Sequence, residues 1–331
     1  MAQTFNAFRI YANNEFERAG IEELTLDDLS DGDVTIEVEY SSVNYKDALA
    51  GTGKGKILRK SPLNGGIDLA GRIADSDSPS FKVGQSVLVN GSGLGEIHDG
   101  GYSQYARVPA NWIVPMPAGL NSRTAMIIGT AGFTAALAIQ RLQENHQSPE
   151  NGPILVTGAT GGVGSFAIKI LHQLGYEVVA MTRKSEHSDY SLSLGASRVI
   201  SLEEVLVNQS PLHKGVWAGA IDNLGGDTLA WLTKCVKPWG NIVSIGMAGG
   251  VNIETTTMPF ILRGISLLGV TSSTCPQSLR KKIWNRLGDE LFPENLDQIC
   301  TAEVTLEQLQ EAFDNLINGT LHGRQIVCLS K

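Results

Sequence analysis

The amino-acid sequence predicts an α/β protein made of two parts, a strand-rich unit and a doubly wound parallel sheet. Three observations predict it. Short strands punctuated by turns fill the chain to about residue 125, strands alternate with helices from Pro153 onward, and residues 154–170, ILVTGATGGVGSFAIKI, run from a buried strand through a glycine turn into a helix. A parallel strand pair needs a crossover long enough to hold a helix, so regular strand–helix alternation implies a parallel sheet.

The elements follow in order. TIEVEY (35–40), DLAGRI (68–73) and QSVLVN (85–90) alternate or cluster apolar residues as strands do, and they are separated by KGK, PLNGG, SDSPSFKVG and GSGLGEIHDGG, all turn-forming stretches. This half reads as an all-β barrel or sandwich. RTAMIIGTAGFTAALAIQRLQE (123–144) then places apolar residues at helical spacing. PILVTG, GVGSFAIKILHQLG, YEVVAMT, SEHSDYSLSLG and ASRVIS alternate as strand, helix, strand, helix and strand, and VWAGAIDNLGG, DTLAWLTKCVKPWG, NIVSIG and GISLLGV continue the pattern. Helices at PQSLRKKIWNRLGDEL and LEQLQEAFDNLING precede a closing strand, GRQIVCLS, which lacks a sheet of its own and is expected to pair back into the N-terminal unit.

Composition narrows the function. At 331 residues, 42% hydrophobic and 18% charged, the chain suits two soluble domains. Its net charge of −8 argues against nucleic acid as the main partner. No apolar run approaches the roughly 20 residues of a membrane span. The N-terminal MAQTFNAFRIY has no charged leader and apolar core of a secretory signal, so a cytoplasmic location is expected. Cys235, Cys275, Cys300 and Cys328 are far apart with no CxxC pair, and the six histidines form no HxxxH or HxxE pair. Disulfides and a thiolate zinc site are both disfavoured, and the missing GxSxG removes support for serine acyl transfer.

The glycine turn carries the chemistry. Gly161 and Gly162 allow close backbone approach to a pyrophosphate, and Gly164 allows the helix to pack on the strand. The helix N-terminus supplies free N–H groups and a favourable dipole. The strict GxGxxG spacing is not met, because Ala159 stands where the first glycine would. The second strand of this half ends in Thr182, Arg183 and Lys184, with no acid before Glu186. An NAD-selective site places a carboxylate there, whereas cations suit the 2′-phosphate, so NADPH is the expected cofactor. Arg198, opening the next strand, is a further candidate for that phosphate. In the other half, SVNYKD (42–47) sets an amide, a phenol, an amine and a carboxylate in a row after a strand. Asp47 is expected to cap a helix. Lys46, Lys54, Lys56, Arg59 and Lys60 face only one acid, Asp47, within their own span, an unusual basic run in an acidic chain.

Strands followed by a nucleotide sheet and a returning tail resemble the medium-chain dehydrogenase/reductase superfamily. In its zinc alcohol dehydrogenases a cysteine after the strand and a G-H-E stretch supply metal ligands; the matching positions here are Asn44 and Ile67–Asp68, which implies a zinc-free member with no metal site. NYKDALAGTGKGKILR, AMIIGTAGFTAALAI, VTGATGGVGSFA, LGASRVI, VWAGAID, TTMPFILRG and GRQIVCL together resemble the acrylyl-CoA reductase group of the quinone-oxidoreductase branch. The resemblance implies a GroES-like β-barrel catalytic domain, residues 1–125 and 273–331, and a Rossmann domain, residues 126–272. It implies NADPH-dependent reduction of acrylyl-CoA to propionyl-CoA, with an NADPH quinone or general enone reductase as one alternative and a non-catalytic NADPH-binding sensor as another. Tyr45 and Asn44 are then the catalytic candidates. Tyr45, Thr160, Gly161, Gly162, Val163, Gly164, Thr182, Arg183, Lys184, Arg198, Ile245, Ser272 and Arg324 are the cofactor candidates, and Lys54, Lys56 and Arg59 would meet a coenzyme A tail. A homodimer is the implied assembly, with no nucleic-acid or membrane partner.

Overall fold

In the computed structural model, which describes residues 4–12, 17–201, 210 and 212–329, antiparallel strands β1 (Thr4–Ala12) and β2 (Glu17–Thr25) come first, paired from Thr4↔Thr25 to Ala12↔Glu17. Neither stood out as a strand in the sequence. β3 (Val34–Ser42) buries Val34, Ile36 and Val38 on the alternating positions that period 2 demands. It ends directly before helix α1 (Tyr45–Gly51). β4 (Leu63–Asn64), β5 (Asp68–Ser76), β6 (Ser86–Asn90), β7 (Tyr105–Val108) and β8 (Val114–Pro115) complete this stretch.

Helix α2 (Ser122–Glu144) follows and is broken in its course by Gly129, at φ 50 and ψ −159. A Cβ at Gly129 would lie 2.7 Å from Arg324 Nη2, 2.8 Å from Ser42 Oγ and 2.9 Å from Asp68 Oδ2, so glycine is the residue that fits. Against the expectation of no such segment, α2 is long and apolar enough to cross a membrane, yet 89% of its most apolar window is buried inside the protein, as in a core helix.

β9 (Ile154–Thr157), α3 (Gly162–Gln173), β10 (Val178–Thr182), α4 (Ser188–Ser193), β11 (Arg198–Ser201), β12 (Trp217–Asp222), α5 (Gly226–Cys235), β13 (Val236–Ser244), α6 (Met258–Arg263) and β14 (Ser266–Gly269) come next. Their six strands form one sheet in the order β11-β10-β9-β12-β13-β14, all pairs parallel. This is the doubly wound order, with its switch point between β9 and β12. β9, β10 and β12 are buried at every residue, as strands covered on both faces must be. One expectation fails locally. KPWG, read with the preceding helix, belongs to β13: Trp217 pairs with Val236 and Gly219 with Asn241, so Lys237–Gly240 bulge from the ladder and Trp239 takes φ 63.

α7 (Gln277–Leu287), β15 (Cys300–Val304), α8 (Leu309–Ile317) and β16 (Arg324–Cys328) end the described chain. β16 pairs antiparallel with β3, Ile326 opposite Ser42. The returning strand has a packing reason. Val327 of β16 and Phe313 of α8 share one core with Phe8, Ile36, Val38, Leu69, Ile73, Val87 and Val89. The chain thus divides into a first unit, Met1–Thr130, Ser272–Glu290 and Leu296–Lys331, and a second, Ala131–Thr271 and Leu291–Asn295.

Candidate functional site

In the first unit the end of β3 delivers four polar residues to very different fates. Asn44 caps α1 and is buried; Asp47, third in the helix, reaches back so that its Oδ2 accepts from Asn44 N at 3.0 Å. Asp47 Oδ1 accepts from Ile67 N at 3.0 Å, which ties the helix start to the segment leading into β5. Lys46 Nζ pairs with Glu96 Oε1 at 2.7 Å. Tyr45 is the outward-facing member, 49% exposed on the first helical residue.

The Asn44 amide is fully engaged. Nδ2 donates to Asp68 Oδ2 at 2.9 Å and Asp47 Oδ2 at 3.0 Å, and Oδ1 accepts from Arg324 Nη1 at 3.0 Å. Asp68 also accepts from Ser42 Oγ, from Thr130 N at 2.8 Å and, on its other oxygen, from Thr130 Oγ1. Arg324 donates further to Val43 O at 2.8 Å and Ile127 O at 3.2 Å. Every participant named is buried except Thr130, which is half-buried. Burial, followed by the charge of Asp68, pushes Asp47 up to about 7. Burial pulls Arg324 below its usual value while Asp68 opposes that pull.

Two of the candidate site residues sit inside this network: both N–H bonds of the Asn44 amide are taken up within it, and Arg324 Nε and Nη1 donate to Ile127 O, Val43 O and Asn44 Oδ1, while its buried Nη2 has no hydrogen-bond partner among the described residues. Ser272 lies in the same unit, where its carbonyl accepts from Arg280 Nη2 at 2.9 Å. Lys54, Lys56 and Arg59 are exposed on the segment after α1, and Arg59 N donates to Glu96 O at 2.7 Å. Sequence reasoning gave Asp68 no role beyond matching a metal-ligand position of the zinc enzymes and did not find Thr130. Asp68 left one signal, an acid directly before the apolar Leu69 and Ala70 at the start of β5; Thr130 left none.

In the second unit β9 ends at Thr157 and the chain turns through Gly158, at φ 58, into α3. A Cβ on Gly164 would sit 2.4 Å from Gly158 O, so glycine is required for the first turn of α3 to close on the loop. A Cβ on Gly161 meets only Gly158 O, at 3.4 Å, leaving the outer side of the turn open. Thr160 is buried, and Gly162 and Val163 are half-buried. The turn is held at the switch point: Thr157 Oγ1 donates to Asp222 Oδ1 at 2.8 Å and Asn223 Nδ2 donates to Thr157 O at 2.7 Å. The first N–H groups of α3 lack partners within the helix, which makes this end a place for an anion.

β10 delivers Thr182, buried, then Arg183, exposed, and Lys184, half-buried, whose amide donates to Thr182 Oγ1 at 3.0 Å. Burial draws the Lys184 amine down. Ile245 follows β13, and its N–H donates to Asp222 O at 2.9 Å. Thr160–Gly164, Thr182–Lys184 and Ile245 therefore all follow the carboxyl ends of neighbouring parallel strands or open α3. Arg198 does not join them. It pairs with Val179, so it starts β11, three residues or about 10 Å back from the carboxyl end, and its guanidinium lies 5.4 Å from the Trp217 ring centroid.

Family models match both halves: the alcohol dehydrogenase GroES-like domain over residues 30–118 and zinc-binding dehydrogenase over residues 162–288. Over nearly the full chain, the sequence is 43% identical to a Bacillus subtilis protein named as a quinone oxidoreductase, YhfP, covering 99% of this chain and 100% of that one. The chain belongs to the medium-chain dehydrogenase/reductase family of oxidoreductases. Within that family it is 41% identical to the acrylyl-CoA reductase AcuI of Ruegeria pomeroyi, over 98% of each chain. Among solved structures, Escherichia coli YhdH with bound NADPH matches with a TM-score of 0.95 and 44% identity, covering 98% of this chain and all of that one. Bacillus subtilis yhfP with NAD bound matches equally well in TM-score, 0.95, at 42% identity over 99% of this chain and all of that one.

The family model's zinc does not fit this chain. At the positions corresponding to the metal ligands stand Asn44, whose amide is consumed by Asp47, Asp68 and Arg324, and Ile67, a hydrocarbon. Among the described residues no three His, Cys, Asp or Glu side chains are grouped to hold a metal ion.

Proposed function

We propose that this protein is an NADPH-dependent reductase of the conjugated double bond of an acyl-CoA, converting acrylyl-CoA to propionyl-CoA in the cytoplasm. The observation that carries the reading is the full-length identity, 41% over 98% of both chains, to a protein named an acrylyl-CoA reductase. The exposed basic run after α1 agrees with it, because a coenzyme A tail carries phosphates.

The residues present fit the cofactor. Gly161 to Gly164 and the start of α3 would hold the pyrophosphate, and Arg183 with Lys184 the 2′-phosphate. When bound, NADPH supplies the hydride that adds at Cβ and is left as NADP⁺. In the substrate the double-bond electrons move onto the thioester oxygen as an enolate, and a proton then returns to Cα. Tyr45 is the residue we assign to this charge: its phenol is exposed and can donate a hydrogen bond to the enolate or pass it a proton. Asn44 is not assigned a contact with substrate, for the reason given by its hydrogen bonds.

A second reading, quinone or general enone reduction, is favoured by the name of the Bacillus subtilis relative. An NADPH-binding sensor without turnover is the third. Steady-state NADPH oxidation with acrylyl-CoA, crotonyl-CoA and a simple quinone separates them. The proposal expects the highest kcat/KM with acrylyl-CoA, and expects Lys54→Ala/Lys56→Ala/Arg59→Ala to raise KM for the CoA ester several-fold more than for a neutral enone. A quinone turned over faster, or NADPH bound without any turnover, would overturn it.

We also propose a homodimer through the edge of the second unit's sheet. β14 is an edge strand; Ile261 and Leu262 shortly before it in the chain and Trp239 on the neighbouring β13 expose large apolar side chains, Trp239 at 83% and Ile261 at 77%. A second copy pairing along β14 would cover such groups.

A further inference from the structure

The buried polar side chains around the start of α1 are not idle. Five segments meet there: the end of β3 through Ser42, the start of α1 through Asn44 and Asp47, the start of β5 through Asp68, the Ile127–Thr130 part of α2, and the start of β16 through Arg324. Two carboxylates and one guanidinium join these segments with hydrogen bonds.

We propose that Asn44, Asp47, Asp68 and Arg324 form a knot that ties together these five segments of the first unit, and that Asp47 is the positioning residue through which the knot sets the place of Tyr45. The geometry leads from one to the other. Tyr45 lies between the cap residue Asn44 and the rest of the first helical turn, and Asp47 fixes both sides of it. Asp47 Oδ2 accepts from Asn44 N and Nδ2, while Asp47 Oδ1 accepts from Ile67 N on the neighbouring segment. Three N–H donors on one carboxylate suit its ionised form.

The groups facing Asp47 make that form adjustable. Asp68 repels its charge, Arg324 stands across the Asn44 amide, and the buried phenol of Tyr102, which donates to Ser42 O at 3.0 Å, lies beside it. Burial and Asp68 together raise Asp47 from an ordinary value of 3.8 to about 7. A proton taken from solvent there turns one oxygen into an O–H donor facing N–H donors and weakens its acceptance from them, so the first turn of α1 loses part of its anchorage. The folded protein holds this proton more tightly than the unfolded chain does. The stabilising contribution is therefore complete below about pH 4 and is lost as pH rises through about 7, while the anchorage of Tyr45 improves over the upper part of the same range.

The inference rests on the proposed role of Tyr45 only where it predicts rates, so the test has a readout independent of catalysis. In Tyr45→Phe protein labelled with 4-fluorophenylalanine, the ¹⁹F resonance absent from labelled wild type reports position 45 with a ring that cannot ionise. It is expected to shift between pH 6 and 8 with a midpoint near 7, and to stay fixed when Asp47→Asn is added. In otherwise native protein, Asp47→Asn is expected to lower kcat/KM about tenfold at pH 8, as loss of a cap and of precise placement would, and to remove the rise through pH 7. A resonance that does not move between pH 6 and 8, or moves identically in the Asp47→Asn background, overturns the proposal. Should Asp47→Asn fail to fold, the titration with Asp47 intact still decides. A titrating resonance combined with full activity of Tyr45→Phe would support the positioning and overturn only the catalytic reading of Tyr45.

Discussion

β3 and β9 both stop where polar groups begin, and they stop in opposite ways. After β9 the chain passes through Gly158 and enters α3 with a glycine cap, so that main-chain N–H groups face outward with nothing from a side chain to meet them. After β3, Ser42, Asn44 and Asp47 close on Asp68 and Arg324 and are buried. An open end is suited to receive an anion, whereas a closed polar end holds the fold and the one side chain it leaves exposed. In the closed region that side chain is Tyr45.

The comparison breaks most violently from the closed side. Asp68→Ala would leave Arg324 a buried cation whose nearest carboxylate is gone, together with donors from Ser42, Asn44 and Thr130 that lose their acceptor. The expected loss is about 3–5 kcal/mol in urea unfolding, the scale of breaking a buried charge network by removing one partner. Asp68→Asn keeps one acceptor oxygen and should lose less. A midpoint for Asp68→Ala indistinguishable from wild type would mean the network is not holding this end of the first unit.

The same contrast explains what the sequence disclosed. The open end is a local pattern: strand, glycines 158, 161, 162 and 164, then helix, all within a dozen residues, with Gly158 needed for its positive φ and Gly164 for the close approach of helix to loop. The alternation that builds the parallel sheet is local too. The closed end is not. Arg324 lies 280 residues from Asn44 and Thr130 lies 62 from Asp68, and nothing in RQIVC marks its arginine as a guanidinium that will point inward. That Arg324 donates to Asn44 is therefore a fact of the fold and not of either local sequence. Arg198 is a different case. Sequence places it at the start of a strand, and only the register against Val179 shows that this start lies about 10 Å back from the carboxyl end. Trp239 was hidden by a bulge, which has no periodicity to read.

The open side offers a prediction of intermediate size. Arg183 and Lys184 follow β10 at the ligand-binding end, with no carboxylate until Glu186. Arg183→Ala/Lys184→Ala should raise KM for NADPH about 10- to 100-fold, the range expected when charge-assisted hydrogen bonds are removed, and leave KM for NADH nearly unchanged. Since one relative has been crystallised with NAD and another with NADPH, the ratio of the two constants is the quantity to measure. An equal loss with both cofactors would show that these cations do not read the 2′-phosphate, and the open end would then be a dinucleotide site without that selectivity.

The smallest effect is expected at the rim of the closed end, one residue past Tyr45. Lys46 pairs with Glu96 at 2.7 Å, with the lysine side chain 34% exposed and the glutamate 16%, so water screens much of the attraction. Such a pair is worth about 0–1 kcal/mol, and the tie it makes is duplicated, because Arg59 N donates to Glu96 O whether or not Lys46 is present. Lys46→Ala should accordingly change unfolding free energy by less than about 1 kcal/mol and leave kcat with the CoA ester at the wild-type value. If kcat instead fell tenfold with stability intact, Lys46 would be acting on the ligand rather than on Glu96. The boundary between the closed knot and the ligand-facing surface would then have to include Lys46 beside Tyr45, and the basic run after α1 would begin at the reaction itself rather than beyond it.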